Sequence, residues 1–125
     1  MDLLAAIAAG DREALAAMVS DDVVYHSPGT TYRGRDQVVD VLAVGPTVIA
    51  NLRATRDPVA IGDREGLTFV TGAVEEEQLH GVLIESRDET GRIAEISLLL
   101  RPLSAVQAAV RHLARALAEA GEARG

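Results

Sequence analysis

Leu3, Leu4, Ile7 and Ala8 recur at the spacing of one helix face, and Gly10 follows as a residue able to end a helix in the left-handed conformation. Asp11 is placed to cap a second helix whose apolar face is Leu15, Met18 and Val19. Two short helices in a tight turn are therefore predicted at the start. Ser20-Asp21-Asp22 interrupts that pattern, and Val23 to His26 predicts a short strand closed by the turn residues Pro28-Gly29. Thr31-Tyr32-Arg33-Gly34 leads into a third helix, from about Arg35 to Val44, with Asp36 in the first turn where the helix dipole favours negative charge. Gly45-Pro46 is read as its stop.

From Thr47 the period changes. Thr47 to Ile61 reads as one extended stretch whose later part Pro58 assigns to an edge or a bulge. Gly62 to Gly66, Glu75-Glu76-Glu77 and Asp88 to Gly91 read as turns between strands Leu67 to Val74, Gln78 to Ser86 and Arg92 to Arg101. The runs Val82-Leu83-Ile84 and Leu98-Leu99-Leu100 break the alternation expected of a sheet with one wet face. Both faces are therefore expected to be covered, one by helices around a pocket and the other by a partner subunit. Pro102 opens a final amphipathic helix with Leu103, Val106, Val110, Leu113 and Leu117 as its stripe, and Glu122 to Gly125 is expected to fray. The whole is one α+β domain over residues 1–125: helices and a short first strand in 1–46, an antiparallel sheet in 47–101 and a C-terminal helix in 102–120.

Composition narrows the function. The 125 residues are 48% hydrophobic and 25% charged, a globular balance. Twelve basic against nineteen acidic residues give a formal charge of −7, which argues against nucleic acid or a membrane surface as a partner. No apolar run approaches a membrane span, and Met1-Asp2-Leu3-Leu4 lacks a basic signal-type start, so a cytoplasmic location is expected. The absence of cysteine removes thiol chemistry and disulfides. Tyr25, Tyr32 and Phe69 are the entire aromatic complement, too little for stacking a flavin or a nucleotide base. No glycine-rich phosphate loop is present, and His26, His80 and His112 lack metal-ligand spacing, so neither a cofactor nor a metal is expected.

The order of helix, helix, short strand, helix and four strands resembles the nuclear-transport-factor-2-like superfamily and its SnoaL-like members. Ala9-Gly10-Asp11, Ser20 to Val24 before His26-Ser27-Pro28, Tyr32 to Asp36, and Leu100 to Leu103 resemble the local phrases of that group. The resemblance implies a cystatin-like cone: a curved antiparallel sheet wrapped by helices around an apolar pocket. Ketosteroid isomerases of the superfamily need a tyrosine on the first helix, an aspartate base after the first strand and a protonated acid on a later strand. Matching the phrases puts Leu3, Ser27 and Leu83 at those places. A typical steroid isomerase is therefore not expected, nor an epoxide hydrolase with paired aspartates about an arginine.

His26 stands where related proteins carry reacting groups and could serve as a general base titrating near neutrality; the plainer reading is a strand-edge histidine bonded to backbone. Glu85, by alternation on the face of Leu83, could act as a buried acid, or it could sit in a salt bridge with Arg53 or Arg101 or at an exposed strand end. Tyr25, Ser27, Leu83 and Phe69 are the candidate ligand-binding residues, with Tyr25 able to donate a hydrogen bond into the pocket. Two functions follow: a homodimer binding a small apolar molecule in the cone, with acid-base chemistry of the cyclase or isomerase type as its extension, or a non-catalytic assembly module whose pocket is plugged.

Overall fold

The computed structural model describes residues 1–124. Helix α1 (Leu3–Ala9) is capped by the Asp2 carboxylate, which accepts from the Ala5 N–H, and it ends at Gly10 with φ +63°. Helix α2 (Arg12–Met18) starts on Asp11, whose carboxylate accepts from the Ala14 N–H. Strand β1 (Val19–His26) begins earlier than its sequence signal suggested. Val19 and Ser20 are already buried, with Asp21 and Asp22 as the exposed pair within the strand. A tight turn leads to β2 (Thr31–Arg33) and then to α3 (Arg35–Ala43).

Gly45-Pro46 does not simply stop α3. It starts a one-turn helix, α4 (Gly45–Val48), because proline is tolerated in the first turn, where the N–H has no intrahelical acceptor. The stretch read as continuous up to Ile61 is thus divided into α4, β3 (Ala50–Ala54) and the two-residue edge strand β4 (Val59–Ala60), which Pro58 immediately precedes. Strands β5 (Glu65–Val74), β6 (Glu77–Arg87) and β7 (Ile93–Arg101) form the expected meander, and α5 (Leu103–Arg124) follows. The β5–β6 hairpin turns on Glu75, at φ +57°, and Glu76. The Asp88 carboxylate closes the β6–β7 turn. The Thr90 hydroxyl and the Thr90 and Arg92 N–H groups hold that carboxyl below its usual range.

The seven strands lie in the order β2-β1-β7-β6-β5-β3, with β4 also on β5. Every pair is antiparallel except β1–β7, which is parallel, so the sheet is mixed. That pairing brings the first strand beside the last, and its partners are too distant in sequence for local pattern to show it. One core cluster joins α1, α2 and α3 to the inner face of β1 and β7 through Leu3, Leu15, Val23, Val38, Ile93 and Ile96. A second packs Ala105, Ala108 and Ala109 of α5 on Ile49, Val74 and Leu79.

The buried face of α5 is therefore partly alanine, and the expected stripe is displaced: Leu103, at the helix start, is 70% exposed. The helix continues through Arg124 where fraying was expected; Gly125 lies outside the described residues. Among the described residues no helix is long and apolar enough to cross a membrane.

Candidate functional site: an apolar cavity beneath the last helix

Between the inner sheet face and the helices lies a cavity of about 360 Å³. Leu83 of β6 and Leu98 and Leu100 of β7 form its floor. They share a face because Leu83 pairs directly with Leu98, and Leu100 with Gly81 two residues along. Leu4 and Ile7 of α1, Val41 and Leu42 of α3, and the α4–β3 segment with Ile49 and Leu52 make the side walls. Val106, Ala109, Val110, Leu113, Ala114 and Leu117 of α5 make the roof. Among the described residues the lining holds no Asp, Glu, His, Lys or Arg; its polar side chains are Tyr25, Ser27, Thr30 and Tyr32.

The lining residues classed as exposed are Pro28, Gly29 and Thr30 of the β1–β2 turn and Val110 and Ala114 of α5. The mouth therefore lies between that turn and the helix. The two segments nearly touch: a Cβ built on Gly29 would stand 3.1 Å from Val110 Cγ2.

Tyr25 and Tyr32 face each other across the β1–β2 pair and stack, with ring centroids 6.1 Å apart and planes inclined by 21°. Tyr25 is 4% exposed, and burial, with a smaller contribution from Tyr32, pushes its phenol above the ordinary value of 10.0. Neither hydroxyl has a hydrogen-bond partner among the described residues. Ser27 does line the cavity, but its Oγ is committed to the turn. It donates to the Thr30 carbonyl at 2.7 Å and accepts from the Gly29 and Thr30 N–H groups.

The other candidates stand elsewhere. His26, one residue after Tyr25, pairs with Ser97 and projects to the outer sheet face, since successive strand residues alternate sides. There Nε2 lies 2.8 Å from Glu95 Oε2 and Nδ1 lies 3.2 Å from Thr31 Oγ1. Glu85 is on the inner face, but it lies beyond the cavity floor and pairs with Arg87 at 3.1 Å, not with Arg53 or Arg101. Phe69 pairs with Val82, so it shares the outer face, and the Arg56 guanidinium covers its ring at 3.7 Å. The structure thus gathers Tyr25, Ser27 and Leu83 about one cavity and leaves His26, Glu85 and Phe69 out of it. Sequence reasoning missed Tyr32 and the α5 residues as lining. The Tyr25-to-Tyr32 spacing across a Pro-Gly turn was the available signal for the first, and the amphipathic stripe for the second.

Residues 2–96 match the family model of the SnoaL-like domain. No curated protein is significantly similar in sequence. Two solved structures superpose with TM-scores of 0.83 at 27% identity. One is an uncharacterized protein with a cystatin-like fold from Silicibacter pomeroyi, covering 90% of this chain and 80% of the other. The second is a steroid delta-isomerase from Pseudomonas aeruginosa, covering 92% and 85%. A Mycobacterium tuberculosis LEH-like epoxide hydrolase shares the fold at a TM-score of 0.66 and 21% identity, covering 89% and 86%. The matched segment contains the tyrosine pair and Leu83, whereas Leu98, Leu100 and the α5 roof come from residues beyond it. By the extent of that match, together with the mixed curved sheet and its helical cover, the chain belongs to the SnoaL-like domain family of the nuclear-transport-factor-2-like superfamily.

Proposed function

We propose that this protein binds a small, uncharged, mostly apolar molecule in the cavity beneath α5. The observation that carries this reading is the cavity itself: about 360 Å³, lined largely by apolar side chains and, among the described residues, by no charged one. Ligand sites typically enclose roughly 300–1,000 Å³. A plugged assembly module would leave no such space. An ion would lose its hydration there and meet no opposite charge. The similarity to a protein named as a steroid delta-isomerase supports fused-ring compounds as first probes.

Binding is favoured over proton-transfer catalysis. The cavity offers hydroxyls, and burial keeps the Tyr25 phenol protonated well into alkaline conditions. A base effective near neutral pH would have to be an imidazole or a carboxylate within reach of the ligand, and His26 and Glu85 are both outside the lining. Titration with 2-ethylnaphthalene tests the reading. Saturable binding of one molecule per chain is expected, and Leu83→Phe, which fills the floor, should abolish it in a protein that still folds. Binding unaffected by Leu83→Phe would refute the cavity as the site.

For the outer sheet face we propose a second copy of the chain. Leu67, Phe69, Val82, Ile84 and Leu99 lie on that face, where a wet sheet would carry polar residues. Around them stand both Glu95 and Arg101, so two copies about a two-fold axis can oppose unlike charges. Mass measurement in solution should give a dimer that Val82→Glu converts to a monomer; a wild-type monomer at micromolar concentration would contradict this.

A further inference from the structure

The inner face of β1 carries Tyr25 where phenylalanine would fill the same space. A phenol in an apolar wall loses its hydrogen bonds to water and recovers that cost only if something accepts from it. Among the described residues nothing does. The ring is buried and lines the cavity, its plane is set by stacking on Tyr32, and its hydroxyl is an unpartnered donor at the cavity surface, where an occupant can accept from it. The neighbouring polar group, Ser27 Oγ, is already spent on its own turn.

We propose that Tyr25 donates a hydrogen bond to an acceptor oxygen of the ligand, so that the protein selects uncharged, oxygen-bearing apolar molecules of the ketone class over both bare hydrocarbons and carboxylates. This inference depends on the cavity being a binding site for apolar molecules and adds the chemistry that distinguishes one from another. A carbonyl suits the donor because it is a strong neutral acceptor that brings no charge into the cavity. A carboxylate would accept as well, but its charge would have no cationic counterpart among the lining residues. The raised phenol pKa works in the same direction, since the hydroxyl stays protonated and able to donate across the physiological range.

The test compares 2-acetylnaphthalene with 2-ethylnaphthalene, which differ in little but one carbonyl oxygen, on the wild type and on Tyr25→Phe. The ratio of ketone to hydrocarbon affinity should fall about five-fold in the variant, the size of one net hydrogen bond. 2-Naphthoate at pH 8 should bind at least about ten-fold more weakly than the ketone. In the wild type, the infrared carbonyl stretch of bound 2-acetylnaphthalene should move to lower wavenumber than in hexane, a readout that does not depend on the variant folding. An unchanged affinity ratio in a folded variant, an unshifted carbonyl stretch, or naphthoate binding as tight as the ketone's overturns the oxygen-recognition inference while leaving the cavity a binding site. If neither neutral probe binds at all, the binding reading itself falls, and this inference with it.

Discussion

His26 Nε2 lies 2.8 Å from Glu95 Oε2 on the outer face of the sheet, while Tyr25, one residue earlier, stands in the cavity wall. The imidazole is thus a surface partner of a carboxylate and not a group aimed at a bound molecule. Both side chains are largely solvated, at 41% and 54% exposure, and such pairs contribute about 1 kcal/mol or less. His26→Ala is therefore expected to change ligand affinity by less than about two-fold and to cost under about 1 kcal/mol in urea unfolding. A loss of binding in a folded His26→Ala protein would show that the imidazole reaches the ligand after all.

The close approach of β6 to β7 requires Gly81. A Cβ there would stand 1.8 Å from the Leu99 carbonyl oxygen, a backbone atom that cannot swing aside. Gly81→Ala should destabilise the protein by about 3 kcal/mol or more, through distortion of the floor strands. Gly66→Ala on the neighbouring strand β5, where a Cβ would meet its nearest atom at an ordinary 3.9 Å, should stay within about 1 kcal/mol of wild type. Paired urea denaturation curves distinguish the two; equal effects would contradict the geometry.

Tyr25 gives a pH dependence with a definite sign. Its phenol titrates higher in the folded chain than the ordinary 10.0, so the unfolded chain gives up its proton first as the solution becomes alkaline. The stability contributed by the neutral buried phenol is fully present below pH 10.0 and is lost progressively above it. Urea midpoints measured from pH 8 to 11 should fall more steeply for the wild type than for Tyr25→Phe. Parallel curves would show that the phenol titrates no differently in the two states.

The mouth between the β1–β2 turn and α5 can be closed on purpose. The chain has no cysteine, and a Cβ at Gly29 would sit beside the Val110 side chain, so Gly29→Cys with Val110→Cys offers a single disulfide. Oxidation should slow ligand association and release by at least about ten-fold, with reduction restoring both. Rates unaffected by the cross-link would place the entrance elsewhere.

Local signals were legible wherever the chemistry is local. Asp11 as a cap, Gly10 in the left-handed conformation, Pro58 ahead of an edge strand and the Asp88 turn could all be read from neighbouring residues. Ser27 and Leu83 were placed at the pocket by the resemblance and Tyr25 by its amphipathic chemistry on the first strand, and all three line the cavity. His26 and Phe69 escaped because strand side chains alternate: a shift of one residue sends a side chain through the sheet, and only the register reveals which side faces the helices. Glu85 obeyed alternation but lay past the end of the cavity, a matter of distance along the strand that periodicity does not encode. The parallel β1–β7 pair and the alanine face of α5 depend on partners distant in sequence.

The claim on which the rest depends is that the space under α5 receives a molecule. Amide and methyl NMR of the labelled protein, titrated with 2-acetylnaphthalene, tests it most directly. The account predicts saturable shifts concentrated at Ile7, Tyr25, Leu83, Leu98, Val106 and Leu113, on five different elements that converge only at the cavity. Shifts confined to the outer-face residues Val82, Ile84 and Leu99, or no shifts up to the solubility limit of the probe, would contradict it.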